Sequence, residues 1–265
     1  MKTKIIISLA IIFTSQTICS QTTVDSSRII KVLSFNIYHG ETMKGNYDLD
    51  VIAKVILDTK PDLVALQEVD FKTNRAKKYD LVTELGLRTK MAPLFGKAMD
   101  FDGGEYGEGI LSKYTFLQTR NIALPFTPSN EPRAALETIV VLPSQDTIAF
   151  ISTHLDHLKD EKNRIAQVEK INEMFSSNKY PTILAGDLNA QPGSTPINIL
   201  EEKWSCSYNK KNPNLTYPSD NPKIKIDYVM TFTKNRWKVL KTEVIQNSIA
   251  SDHCAYLVTL ELLTD

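Results

Sequence analysis

Short runs of hydrophobic residues, separated by polar and turn-forming residues, divide this 265-residue chain into many small elements. Where apolar residues alternate with polar ones, or form short unbroken runs, the pattern predicts β-strands. The predicted strands cover residues 28–38, 62–69, 89–98, 107–112, 114–124, 133–142, 147–154, 182–186, 223–232, 237–245 and 253–262. Strands therefore account for most of the predicted regular structure.

Four stretches instead carry apolar residues at the spacing of one helix face, which predicts α-helices. They cover residues 48–59, 79–85, 159–175 and 196–200. Asp48 is placed to cap the first helix, and Gly86 is expected to end the second. Because helices are few and strands are many, two packed sheets with helices on their outer faces fit better than one doubly wound sheet.

The first twenty residues differ in composition from the rest of the chain. Two lysines precede an apolar run over residues 5–13, and a short polar tail ends before Gln21. This is the order of a secretory signal, and the apolar run is too short to span a bilayer. We therefore expect residues 1–20 to be a signal peptide. Residues 21–265 are then one secreted or periplasmic domain without a transmembrane segment.

The cysteines bear on processing and on the compartment. Acylation of Cys19 would make the protein a lipoprotein, but Gln16 and Ile18 fit poorly before an acylated cysteine. The remaining cysteines, Cys206 and Cys254, can form a disulfide in an oxidising compartment. Cys254 begins an apolar strand, which favours a buried free thiol instead.

The overall charge is balanced, with 31 basic and 31 acidic residues, and 42% of the residues are hydrophobic, enough for a substantial core. A balanced charge argues against a protein whose affinity comes mainly from neutralising nucleic-acid phosphates. Locally the charge is uneven, because residues 203–241 contain nine lysines and arginines but only two acidic residues.

Polar side chains occupy the ends of many predicted strands. They are Asn36, Glu68, His154, Asp187, Asn189, Asp227, Asp252 and His253, and two further histidines, His39 and His157, lie close by. Strand ends are where α/β folds place their chemistry. Oxygen ligands suit a hard divalent cation, Mg²⁺ or Mn²⁺, and imidazoles can stabilise charge. The sequence has no GxSxG nucleophile motif and no glycine-rich phosphate loop.

Seven short motifs join these residues in order along the chain: LSFNIYHG, LQEVD, YGEGILSKY, ISTHLDH, AGDLNA, KIDYVM and SDHCAY. This series resembles the endonuclease/exonuclease/phosphatase superfamily, which includes DNase I, and it spans nearly the whole predicted mature chain. The resemblance implies a four-layer α/β sandwich, in which two facing, mainly antiparallel β-sheets are flanked by helices. It also implies an active site at one edge of the two sheets.

The resemblance assigns metal ligands and catalytic groups to this site. Mg²⁺ or Mn²⁺ is expected beside Glu68, with Asn36 and Asp252 on the same side. The expected catalytic residues are Asp187 and Asn189, which orient water and hold the phosphate, His253 with its partner Asp227, and His154. Either Asp187 or His253 can be the group that removes the proton from water.

Substrate contacts are less sharply indicated. Arg133 is a candidate phosphate clamp, with a structural salt bridge as the alternative, and His39 and His157 are further candidate substrate-binding residues. Superfamily members place residues 100–108 near the rim of the cleft, and here that stretch is acidic and is expected to be mobile. Such a rim repels long polyanions, whereas the basic residues of 203–241 would attract them.

We therefore expect a secreted, divalent-metal-dependent phosphoesterase that hydrolyses a phosphodiester or phosphomonoester by in-line attack of water, with a small or lipid-derived substrate favoured. A secreted DNase I-like nuclease is the alternative, since the chemistry is the same and only the groove differs. A non-catalytic binding module would need a broken site, and every motif residue is present.

If the signal peptide is cleaved as predicted, protein recovered from its native host will begin close to Gln21. The charged, apolar and small-residue order that precedes this position is the reason. N-terminal sequencing or intact mass measurement tests the prediction, and a chain that retains Met1 would contradict it.

Overall fold

A computed structural model describes residues 25–264 of the chain. The predicted signal peptide and the predicted start of the mature chain at Gln21 lie outside these residues. Within residues 25–264, no helix is long and apolar enough to cross a membrane.

Two six-stranded sheets form the centre of the described structure. In spatial order, the first contains β11 (Trp237–Ile245), β12 (Ala255–Leu262), β1 (Ile29–Asn36), β2 (Leu63–Phe71), β4 (Gly104–Ser112) and β3 (Ala92–Phe101). The second contains β5 (Gln118–Leu124), β6 (Arg133–Val141), β7 (Thr147–His154), β8 (Thr182–Asp187), β10 (Asp227–Phe232) and β9 (Ser205–Cys206). Among these strands only β1 with β2 and β7 with β8 pair in parallel. The predicted, mainly antiparallel pairing is confirmed.

The helices lie on the outer faces of the sheets, which completes the predicted four layers. They are α1 (Leu49–Thr59) and α2 (Leu81–Thr89) on the first sheet, and α3 (Lys162–Phe175) and α4 (Thr195–Lys203) on the second. Side chains alternate along each strand. On β1, Val32 packs between the two sheets, whereas Leu33 and Phe35 pack against the helices. Both faces are therefore apolar, which explains the unbroken hydrophobic runs.

The predicted end of the second helix is wrong, and the third helix begins three residues later and the fourth ends three residues later than predicted. The cap of α1 is as expected, with the Asp48 side chain accepting a hydrogen bond from Asp50 N. The second helix, however, continues past Gly86 and ends at Lys90, which has a left-handed φ of 58°. A Cβ at Gly86 would lie 2.8 Å from Met91 O and 3.1 Å from Pro93 Cβ. This glycine therefore permits close packing and is not a helix terminator.

The expected mobile acidic rim is a regular hairpin formed by β3 and β4. Its turn residues, Asp102 and Gly103, have positive φ of 46° and 72°, the conformation that two-residue hairpin turns require. The turn is held by Arg75 N, which donates to Asp102 Oδ2 at 2.7 Å, and by Lys78 Nζ, which donates to Gly103 O at 2.9 Å. The predicted strand 89–98 has the length of β3 but lies three residues too early, and the predicted strand 107–112 is three residues too short, because the strands continue to the turn at Asp102 and Gly103.

The two cysteines in the described region are not linked. Both thiols are free, with Cys254 fully buried and Cys206 partly buried. The disulfide alternative is therefore wrong, and the buried free thiol is confirmed for Cys254.

Backbone pairing brings three predicted site residues together at one edge of the second sheet. Asp187 is the register partner of His154 on β7 and of Asp227 on β10. The preceding Gly186 allows this, since a Cβ there would lie 1.9 Å from Thr153 O. Only a residue without a side chain fits so close to the neighbouring backbone.

Candidate active site

Glu68 reaches the site because β2 contains a β-bulge at that position. The pairing of β2 with β4 shifts register between Leu66 and Val69, and Glu68 has a positive φ of 58°. Bulges of this kind redirect side chains next to active sites. The carboxylate Oε1 accepts a hydrogen bond from Asn36 Nδ2 at 3.0 Å, and Oε2 lies 3.7 Å from His39 Nδ1.

The charge of Glu68 follows from these contacts. Burial raises the pKa of Glu68, but the neighbouring histidines His39, His154 and His253 and the hydrogen bond from Asn36 outweigh this effect and lower it to about 2. The other ring nitrogen of His39 lies 3.2 Å from Glu41 Oε2, so the ring is held between two carboxylates. Glu68 is therefore ionised at neutral pH, and its oxygen atoms can serve as metal ligands.

Asp187 lies between groups from both sheets. Its Oδ1 accepts a hydrogen bond from Asn189 N at 2.9 Å, and its Oδ2 accepts one from Asn36 Nδ2 at 3.3 Å. The same Oδ2 lies 3.4 Å from His154 Nε2 and 3.6 Å from His253 Nε2. Burial raises the pKa of Asp187 to about 7, with the charge of His253 acting in the opposite direction. This carboxylate can therefore gain and lose a proton near neutral pH.

His253 lies just before β12, and Asp227 holds its ring. The Nδ1 atom is 3.2 Å from Asp227 Oδ1 and 3.1 Å from Oδ2. Burial lowers the pKa of His253, but the charges of Asp227 and Asp187 outweigh it and raise it to about 10. Ser251 Oγ accepts from His253 N at 3.1 Å and donates to Asn36 O at 2.7 Å, which ties this turn to the end of β1. The ring is therefore an oriented imidazolium at neutral pH.

His154, unlike His253, is a neutral ring. Its Nδ1 lies 3.1 Å from Arg133 Nη1. Arginine can only donate, and the side-chain amide nitrogen of Asn189, also a donor, lies 3.0 Å from Nε2, so a doubly protonated ring would face donors at both nitrogens. Burial and the charge of Arg133 hold the pKa of His154 well below its usual range. Nε2 faces the site, 3.4 Å from Asp187 Oδ2, and the nearby Asn189 Nδ2 also donates to Leu155 O at 3.0 Å.

Arg133 is almost fully buried beside this ring. Its Nη2 lies 2.9 Å from Glu131 Oε2 and 3.4 Å from His157 Nδ1. The salt-bridge alternative is therefore present in the structure, and contact with a phosphate stays a prediction. Within the described residues, Arg133 Nε is buried without a hydrogen-bond partner.

Nine of the eleven predicted site residues line one cleft of about 670 Å³. The other two, Asn36 and Asp227, are buried directly behind it, where they contact Glu68 and His253. The cleft thus brings together every side chain that the strand-end pattern selected.

The family comparison agrees with this geometry. The sequence model of the Endonuclease/Exonuclease/phosphatase family matches residues 33–253. The chain belongs to the endonuclease/exonuclease/phosphatase family. Members of this family are phosphoester hydrolases, and they are generally dependent on a divalent metal.

Solved structures of this family share the fold at low sequence identity. An endonuclease/exonuclease/phosphatase from Beutenbergia cavernae is 20% identical, with a TM-score of 0.71 over 89% of this chain and 72% of its own. A mannosyl-6-phosphatase from Bacteroides thetaiotaomicron is 17% identical, with a TM-score of 0.69 over 89% of this chain and 100% of its own. The human Nocturnin catalytic domain is 19% identical, with a TM-score of 0.70 over 89% of this chain and 94% of its own.

The sequence patterns do not predict two residues that contact His253, namely Ser251 and Tyr217. Ser251 lies inside the motif SDHCAY, where a hydroxyl two residues before His253 is a usable signal for a turn-forming contact. Tyr217, whose ring centroid is 4.8 Å from that of His253, lies in an irregular segment that carries no pattern. Both side chains help to fix the imidazolium.

The acidic side chains of residues 100–108 do not line the cleft, although Phe101 and Tyr106 of the same hairpin do. Asp100 and Glu105 are paired with Lys97, and Glu108 is buried. Burial raises the pKa of Glu108 well above its usual range. These acids therefore do not form the repulsive rim that the sequence suggested.

The basic side chains of residues 203–241 are also absent from the cleft lining within the described region. Lys238 and Lys241 on β11 pair with Glu261 and Glu243, and Lys225 is buried. This segment therefore does not provide a phosphate-binding surface at the site.

The charge states of the two site histidines can be measured in protein kept free of metal by a chelator. We expect ¹⁵N NMR to show His253 as an imidazolium until the pH approaches about 10, and His154 as a neutral ring. Because the pKa of His253 is raised on folding, its contribution to stability is complete below its unfolded pKa and is lost as the pH rises through about 10. Titration of His253 near its ordinary value would contradict this assignment.

Proposed function

We propose that this protein is a divalent-metal-dependent hydrolase of a small phosphoester, acting by in-line attack of water. The observation that carries the proposal is the meeting of an ionised carboxylate, Glu68, with a carboxylate that titrates near neutrality, Asp187, and an imidazolium, His253, in one cleft. A phosphoester needs charge neutralisation, a proton acceptor for water and donors for its oxygens. These three groups match those needs.

The residues fit a hard divalent cation. Glu68 is ionised, and Asp252 lines the same cleft. Asn36 lies beside Glu68, with Nδ2 donating to Glu68 Oε1 and the amide oxygen accepting from Tyr38 N at 3.1 Å. Burial raises the pKa of Asp252, and the negative charge of Glu68 raises it further. The charge of His253 acts in the opposite direction, and a divalent cation bound beside Glu68 and Asp252 would stabilise both carboxylates. When bound, Mg²⁺ or Mn²⁺ would neutralise the phosphate and stabilise the leaving oxygen.

A second group of ligand atoms suits a metal less well. Asp187, Asp227 and His253 offer atoms that all lie within 4.8 Å of one another. A histidine ligand must be neutral, whereas the two carboxylates hold His253 in its protonated form and Nδ1 already faces both oxygens of Asp227. In this group the proton on His253 already supplies the positive charge that a metal ion would otherwise provide.

The other side chains at the cleft accept the proton of water and bind the phosphate oxygens. Asp187 accepts the proton of the attacking water, because its carboxylate is buried and titrates near neutral pH. His253 donates from Nε2 to a phosphate oxygen, and Asp227 fixes the direction of that donor. His154 and Asn189, whose Nε2 and Nδ2 atoms lie 3.0 Å apart, line the same part of the cleft and can contact the phosphate.

The charge of the cleft favours a small substrate over DNA. Its lining contains five carboxylates and three arginines, and among the described lining residues there is no lysine. Each arginine is already engaged: Arg75 with Asp70, Arg133 with Glu131, and Arg164 with Glu161. Long nucleic acids need unpaired basic residues along their backbone. The likeness to a mannosyl-6-phosphatase, which acts on a small phosphoester, supports the same choice, and export by the predicted signal peptide remains part of the proposal.

The metal requirement is tested with Mg²⁺ and Mn²⁺ on nitrophenyl phosphate mono- and diesters, phospholipids and plasmid DNA. We expect hydrolysis of a small or lipid phosphoester that stops in excess chelator. Glu68→Gln should lower kcat/KM by at least ~100-fold and raise the metal concentration needed, because it removes the anionic ligand. Glu161→Gln, another carboxylate of the same cleft, is the matched control. Full activity in chelator would overturn the metal role, and preference for plasmid DNA would favour a nuclease.

The roles of His253, Asp227 and Asp187 predict an order of effects on kcat. His253→Ala should cost more than Asp227→Asn, because it removes the donor itself, and Asp187→Asn should cost at least as much as either. Losses on the order of a hundred- to thousandfold are typical for such preorganised groups. The His253→Ala/Asp227→Asn double variant should be little slower than His253→Ala alone. Near-normal turnover of folded His253→Ala protein, with an unchanged melting temperature, would make this histidine structural.

A further inference from the structure

Lys225 is a fully buried lysine just before β10, two residues from Asp227. Its Nζ donates a hydrogen bond to Asp227 O at 2.8 Å. The amine also lies over three tyrosine rings, at 3.8 Å from the centroid of Tyr256, 4.8 Å from that of Tyr228 and 5.2 Å from that of Tyr208. Aromatic faces attract an ammonium group, and more strongly where water is excluded. The cage therefore fixes the position of the amine.

The backbone carbonyl of Asp227 needs a hydrogen-bond donor because the short strand β9 does not extend as far as Asp227. On one edge β10 pairs with β8, where Asp227 faces Asp187. On the other edge β9 pairs only with Met230 and Thr231. At Asp227 two side chains take the place of a strand: Thr216 Oγ1 accepts from Asp227 N at 3.2 Å, and Lys225 Nζ donates to Asp227 O.

The cage itself is built from elements that carry catalytic residues. Tyr228 follows Asp227 on β10, and its hydroxyl donates to Ala190 O at 2.8 Å, in the loop after Asp187. Tyr256 lies on β12, three residues after His253. Movement of the amine would therefore displace Asp227 and its partner His253.

We propose that Lys225 is a positioning residue that, together with Thr216, fixes the backbone of Asp227 and so directs the Asp227 carboxylate at His253 Nδ1. This inference rests on the proposed function, in which Asp227 orients the imidazolium. Lys225 does not line the cleft and does not touch the phosphate. It acts through one hydrogen bond to one carbonyl group.

The protonation state of Lys225 does not affect this bond. Burial lowers the pKa of Lys225 to about 7, and the charge of Asp227 acts in the opposite direction. The neutral amine and the ammonium both retain N–H groups, so either form donates to the carbonyl. The positioning role therefore persists across the neutral pH range.

The test is Lys225→Met, which keeps the length of the side chain and removes the donor. We expect kcat on the best substrate to fall about ten- to hundredfold with KM nearly unchanged, because small misplacements of a catalytic group have effects of that size. Lys234→Met is the matched control, since Lys234 Nζ also donates to a backbone carbonyl, that of Glu202 at 3.0 Å, but on the surface. Its kcat should not change.

A double-mutant cycle separates positioning from a general structural role. If Lys225 acts through Asp227, the Lys225→Met/Asp227→Asn variant should be no slower than Asp227→Asn alone. Rate losses that multiply, or a Lys225→Met enzyme with normal kcat, would overturn the inference. If His253→Ala and Asp187→Asn also keep their activity, the proposed function has failed, and not only this inference.

A second pair of variants keeps the test decisive if Lys225→Met does not fold. Thr216→Val removes the acceptor for Asp227 N, whereas Thr216→Ser keeps it. We expect the valine variant to lose kcat with KM nearly unchanged and the serine variant to retain it. Equal kcat for folded valine and serine variants would contradict the positioning of Asp227 by side chains.

Discussion

Asp187 joins the two sheets at the edge that contains the candidate site. Its backbone pairs with His154 and Asp227, and its side chain accepts a hydrogen bond from Asn36 of the first sheet. A buried carboxylate costs several kcal/mol unless hydrogen bonds and an opposite charge compensate. His253, charged and held by Asp227, supplies that compensation. The geometry of the candidate site and the joining of the sheets therefore depend on the same buried contacts.

This constraint explains several local conformations around the cleft. Gly186 is required because Thr153 O would lie 1.9 Å from a Cβ at that position. Glu68 and Asn189 both have positive φ, of 58° and 46°, which for residues other than glycine is unfavourable unless the surrounding structure imposes it. Such residues concentrate at sites whose geometry is fixed before the substrate binds. The imidazolium, its partner carboxylate and the neutral ring of His154 are likewise held in place by hydrogen bonds within the protein.

The periodicity of the sequence predicts two packed sheets with outer helices, and polar residues at strand ends predict most of the side chains that meet at the cleft. The four-layer sandwich and the role of each residue are implied by the family resemblance. Asn36, Asp187 and Asp227 each end or begin a strand, and parallel or antiparallel pairing must bring such ends together. Three features cannot be predicted from local sequence patterns. The bulge at Glu68 depends on pairing between β2 and β4, the role of Gly86 depends on the chain that packs against it, and the cage around Lys225 joins residues from three separate segments. Long-range packing determines all three, and no local pattern encodes it.

The central claim is that Glu68 and its neighbours hold the cation, while the Asp187, Asp227 and His253 group is neutralised by a proton. Anomalous diffraction from crystals soaked in Mn²⁺ tests this directly, since it locates the ion without reference to activity. The account predicts one anomalous peak bonded to the Glu68 carboxylate, with His253 Nδ1 still facing Asp227. An ion bonded to His253 and Asp227 instead, or no peak beside Glu68 at saturating Mn²⁺, would contradict it.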